Sequence, residues 1–177
     1  QFSFPRIATS NPSMRIPSVL ATVLLLALWI ASAMLYPDLP ARLPMQFDFA
    51  GHVSRWAPSS FGSWFLIPLI AAAVAAVMLG LTVFLPRIPP GLINIPRKDE
   101  FLRLSAERRA GVLQVVQGSL AWIAVCMVAL CAILQYAVYE TANGRDAASL
   151  LRVVAFGPLL VITALVVQMW VSVRRAI

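Results

Sequence analysis

Phe61-Gly-Ser-Trp-Phe-Leu-Ile-Pro-Leu-Ile-Ala-Ala-Ala-Val-Ala-Ala-Val-Met-Leu-Gly-Leu-Thr-Val-Phe-Leu85 decides the fold. These 25 residues contain no Asp, Glu, Lys or Arg, and about 20 apolar residues in a helix cross a ~30 Å hydrocarbon core. The apolar residues form a block and leave no polar stripe for water. Outward from it, no charged side chain occurs from Ile16 to Pro37, from Ala57 to Pro86, from Ala110 to Tyr139 or from Val153 to Val173. The whole chain of 177 residues is 60% hydrophobic and 12% charged, more apolar than a soluble domain can hide. The fold class is therefore all-α, an integral membrane four-helix bundle forming one domain over residues 1–177. Its spans are about 16–36, 61–85, 110–139 and 153–173, with a Pro-rich extracytoplasmic loop at 37–60 and an inner loop at 86–109.

A formal charge of +7 raises the question of nucleic acid, but the aromatic residues occupy apolar runs and line no basic groove, so nucleic acid is excluded as a partner. The charges lie between the apolar blocks, where membrane lipid headgroups are their natural partner. Ten basic residues fall on one side: Arg6 and Arg15 in the amino tail, Arg87, Arg97, Lys98, Arg103, Arg108 and Arg109 in the second loop, and Arg174 and Arg175 at the carboxyl end. Four fall on the other, Arg42, Arg55, Arg145 and Arg152. Basic residues are retained on the cytoplasmic side, which predicts both termini and the second loop inside and the loop at 37–60 outside.

In the first span, Val19–Ile30 followed by Ala31-Ser32-Ala33 imitates a signal peptide; we read it as an uncleaved helix. Prolines 37, 40, 44 and 58 stiffen the outer loop. There Met45, Phe47 and Phe49 alternate with Gln46, Asp48 and Ala50, the period of a strand with one apolar side. Gly51 supplies a turn, and His52–Trp56 offers a return strand. Ala72, Ala76 and Gly80 make a small-residue stripe for close helix packing, within the fold or with a second protein. After Pro96, the segment Arg97–Arg109 reads as a short interfacial helix. Asp99 with Arg103, and Arg103 with Glu107, are spaced to pair there, and Ser105 is the expected N-cap of the third span. Gln114, Gln117, Gly118 and Gln135 share one face of that span, and glutamines in lipid should face the bundle. Cys126 and Cys131 read as packing residues. The fourth span carries Gly157-Pro158 as a point of bending and Trp170 as an interface anchor.

No hydrolase, nucleotide or metal motif is present, so the expectation is no enzyme, no catalytic residue, no cofactor and no metal. His52 is the sole histidine; a cation held by it with Asp48 and Asp38 or Glu140 is the minor alternative. Function then rests on surfaces. The outer candidates for partner binding are Phe47, Phe49, Arg55 and Trp56; the inner ones are Lys98, Arg103, Arg108 and Arg109. They point to a binding, immunity or signalling protein whose partner is a membrane-active peptide, another membrane protein or a cytoplasmic regulator. An accessory subunit of a larger membrane complex is the alternative, and a small transporter or channel a further one.

Tyr36-Pro37, Leu39-Pro40, Leu43-Pro44, Gln46-Phe47-Asp48, Gly51 and Arg55-Trp56, with Asn94-Ile95-Pro96, Lys98-Asp99 and Ala106-Glu107-Arg108-Arg109, resemble the signatures of a bacterial multi-span membrane family of unknown function related to the SdpI immunity protein. Gln46 and Asp48 stand where that family usually carries histidine and asparagine. The resemblance implies a bacterial cytoplasmic (inner) membrane protein. It implies immunity to a membrane-active toxin in some members and retention of a regulator at the membrane in others.

Overall fold

The computed structural model describes residues 12–48 and 50–176. Its elements run α1 (Pro12–Leu35), β1 (Arg42–Phe47), β2 (Val53–Pro58), α2 (Phe61–Phe84), α3 (Lys98–Arg103), α4 (Ala106–Ala142) and α5 (Ala148–Ala176). α1, α2, α4 and α5 are each long and apolar enough to cross a membrane, so the chain is a multi-pass membrane protein. α4 and α5 exceed their predicted bounds by several residues at both ends. Ser105 explains one of these limits, because its hydroxyl caps the Arg108 amide at 3.4 Å and the helix starts there.

α4 is the axis of the bundle and packs against α1, α2 and α5. Of its apolar window 39% is buried, against 6% for α5, which lies on the outside of α4. Lipid tails are as apolar as leucine, so helices associate through close packing and hydrogen bonds. Ala21 of α1 and Ala124 of α4 are fully buried and let those helices approach. On α2 the packing face is Trp64, Pro68, Ala71, Ala75 and Thr82. The predicted stripe is displaced from it: Ala72 is half-buried, Ala76 is exposed, and Gly80 has open space where a Cβ would stand.

Two prolines explain how α2 and α4 are joined. Proline donates no amide hydrogen, so the carbonyl four residues earlier loses its helical partner, and lipid offers no substitute. Pro68 does this to Trp64, and Pro86, in the turn ending α2, does it to Thr82. Gln135 Nε2 donates to the Trp64 carbonyl at 3.1 Å, and Gln117 Nε2 to the Thr82 carbonyl at 2.6 Å. The expectation that span glutamines face the bundle holds for these two. Gln114 is exposed, one turn nearer the helix start. The Trp64 indole in turn donates to the Ser32 carbonyl of α1 at 2.8 Å.

The loop at 86–109 folds back on the bundle. Ile93, Ile95 and Phe101 are buried with Leu85, Val112 of α4 and Val173 of α5. Phe101 of α3 therefore packs on protein. α3 ends at Arg103, which puts Arg103 and Glu107 on different helices, and the ion pair formed here is Arg97 to Glu100 at 2.7 Å. At the other end the loop at 37–60 is an antiparallel hairpin of β1 and β2, a small sheet inside an otherwise helical fold. Met45 and Phe47 are half-buried while Gln46 and Asp48 are exposed, as the alternation predicts. Register shifts follow Pro44 and Gln46. Leu43 and Pro44, both buried, precede these shifts.

Candidate functional site

The hairpin is a roof whose shape is set by its turn. The Asp48 carboxylate accepts from the Ala50 amide at 2.9 Å and the His52 amide at 2.8 Å. Its backbone amide donates to the His52 carbonyl at 2.9 Å. The two amides donated to the carboxylate, that of His52 foremost, hold the carboxyl below its ordinary pKa. Gly51 takes φ +89°, a conformation that suits glycine, and lies over the first turn of α5 beside Ala148. Leu43 is fully buried against Trp64, Phe65 and Val138, and Phe47 packs against Ala137, Ala147 and Leu151. The hairpin is thus tied to α2, α4 and α5 together. An aromatic group reinforces the same end, with Phe61 and Phe65 stacked at 4.3 Å between ring centres and Trp29 on Phe65 at 5.6 Å.

Beneath this roof is a cleft of about 410 Å³, walled by α2, α4 and α5. Its wall is apolar: Trp64 and Ile67 of α2, Leu134 and Val138 of α4, Leu151 and Val154 of α5. Leu66 and Ala155 also border it and are exposed, so the cleft opens sideways between α2 and α5. Ser63, which completes a reciprocal cap with Ser60 at the start of α2, and Asp48 stand on its rim. Inside the wall is Gln135, 4% exposed. Its Nε2 is fixed on the Trp64 carbonyl, and its Oε1 is buried without a donor among the described residues.

Of the described outer candidates only Phe47 belongs to this site. Arg55 and Trp56 are exposed on β2, away from the cleft wall, and Phe49 lies outside the described residues. Lys98, Arg103, Arg108 and Arg109 gather at the opposite, basic end; Arg103 and Arg108 are exposed, while Lys98 and Arg109 are half-buried. Among the described residues no three His, Cys, Asp or Glu side chains come together as a metal set. His52 Nδ1 stands 3.4 Å from Asp48 Oδ2, but Glu140 pairs with Arg145 at 2.9 Å. Leu134, Leu151, Val154 and Ala155 were not singled out by sequence, since apolar residues in a span carry no local mark. The usable signal was Gln135, a polar residue within an apolar run.

Residues 23–72, covering the second half of α1, the hairpin and the first half of α2, are similar to a family described as a domain of unknown function (DUF1648). No curated protein and no solved structure matches the chain.

Proposed function

We propose that the protein is a non-enzymatic membrane binding protein that takes an apolar partner into the cleft beneath its hairpin, on the extracytoplasmic side. The cleft itself carries this reading. It has the volume and the mostly apolar wall of a small-molecule site, and its roof is tied down by Leu43, Phe47 and the Asp48 turn. Its mouth, between Leu66 and Ala155, opens at the level of the spans, where a membrane-dissolved partner is concentrated. Immunity to a membrane-active agent is the use that the resemblance of the Tyr36–Trp56 loop supports. A strain lacking the protein should be more sensitive to such agents, and Val154→Trp, which fills the cleft, should fail to restore resistance where the wild type succeeds. Equal sensitivity with and without the protein would remove the immunity reading.

A second reading, an accessory subunit, is favoured by one feature: Ala76 faces away from the bundle and Gly80 has room beside it, on the apolar flank of α2. Extraction in mild detergent should then recover stoichiometric membrane partners, and Ala76→Trp should lose them. Recovery of the protein alone would count against it.

A further inference from the structure

Among the described residues, one polar atom buried in the cleft wall lacks a partner, and it narrows the ligand. Gln135 cannot turn its amide around to relieve Oε1, because the Trp64 carbonyl, released by Pro68, requires the Nε2 donor. Oε1 is an acceptor, so what satisfies it must donate. A buried acceptor left unpaired is costly where lipid supplies no donor. Ser32 Oγ is also buried without a partner among the described residues, but Ser32 does not line this cleft and Gln135 does.

We infer that the cleft binds an uncharged amphiphile, of alcohol or amide type, whose single O–H or N–H donates to Gln135 Oε1 as the side chains covering that atom part, while its hydrocarbon body lies along Ile67, Leu134 and Val154. The inference rests on the binding reading above and adds the ligand's chemistry to it. Charge argues for an uncharged donor. Gln135 lies about 10 Å below the end of α4, seven residues at the helical rise, and no carboxylate lies beside it to balance a cation; Asp48, at the rim, is exposed. The four arginines and four carboxylates at the hairpin end also cancel formally, so this end offers no net field to draw in a charged molecule.

The test uses the full chain in phosphatidylcholine nanodiscs with two probes, a diazirine-bearing decanol and the same molecule as its methyl ether, which keeps the oxygen but cannot donate. Light-induced adducts are mapped by mass spectrometry. The alcohol should label Leu66, Leu134 and Val154 about tenfold more efficiently than the ether, the factor one neutral hydrogen bond supplies. Gln135→Met should bring the two probes to parity, and Val154→Trp should abolish cleft labelling by both. If Gln135→Met does not fold, competition decides: unlabelled decanol should displace the alcohol probe from the wild type at about a tenth of the concentration that its methyl ether needs. Equal labelling and equal competition by the two would overturn the donor inference and leave the cleft as an apolar site. Absence of cleft adducts from either probe would overturn the binding reading too.

Discussion

Asp48 shows how one side chain shapes the site without lining its depth. Its carboxylate takes two backbone amides of the hairpin turn, and those bonds favour the ionised form, so its pKa is lowered. For a carboxyl with a depressed folded value, the stabilising contribution is complete above the unfolded value, about 3.9, and is lost as pH falls through the lower folded value. The amide resonances of Ala50 and His52 should therefore share a carboxyl step that begins only below about pH 4. Asp48→Asn keeps an acceptor oxygen and should hold both resonances near their wild-type positions with no acid step, whereas Asp48→Ala should shift both at neutral pH. If the step that Asp48→Asn removes lay above the ordinary carboxyl range, the geometry would be contradicted. The turn was legible in sequence at Gly51, whose positive φ was expected; the role of Asp48 was not. A carboxylate in a polar loop looks the same whether it caps a turn or faces water.

At the scale of elements, the paired glutamines and prolines are what bind α2 to α4. Each proline frees a carbonyl, and each glutamine on the facing helix supplies the missing donor. Gln117→Leu, which orphans the Thr82 carbonyl in a site that excludes water, should lower stability by about 1–2 kcal/mol, read from unfolding in mixed micelles. Gln135→Leu should cost a similar amount, and adding Pro68→Ala to it should recover part of the loss, because the new amide can return to the Trp64 carbonyl. Independent, additive effects in that pair of changes would show that the proline and the glutamine are not coupled. The sequence placed Gln117 and Gln135 on one face and required partners for them; it did not pair them with the prolines, because Pro68 and Gln135 lie far apart in the chain. The stripe Ala72, Ala76 and Gly80 illustrates the opposite difficulty. On α2 small residues occur at neighbouring positions, 71 to 73 and 75 to 76, so spacing alone could not choose the face, and the bundle uses Ala71 and Ala75. The cleft could not be seen at all, since its wall is built from apolar positions of three spans that become a site only where α2 and α5 stand apart.

The whole molecule is packed differently at its two ends. One end closes the loop at 86–109 over α4 and α5 through Phe101, Ile95 and Val173; the other closes the hairpin over α2, α4 and α5 and leaves the cleft. Charge separates the same two ends. Among the described residues nine basic and three acidic ones lie at the first, four and four at the second, and retention of basic loops in the cytoplasm predicts an orientation with the hairpin outside. Arg174, whose guanidinium lies 3.8 Å from the centre of the Trp170 ring, joins an interface aromatic to a cation at the basic end, the combination found where a span meets headgroups. In that proposed orientation the mouth of the cleft would meet the outer leaflet. The prediction is made testable by replacing the two native cysteines, Cys126 and Cys131, with alanine and introducing single cysteines at exposed loop positions. Ser54→Cys on the hairpin should react with a membrane-impermeant maleimide in intact cells, while Asn94→Cys in the opposite loop should react only after the membrane is opened. Both positions are exposed, so a failure to label reports the side of the membrane and not burial. The reverse pattern would place the cleft at the inner leaflet and transfer the search for its ligand to the cytoplasm.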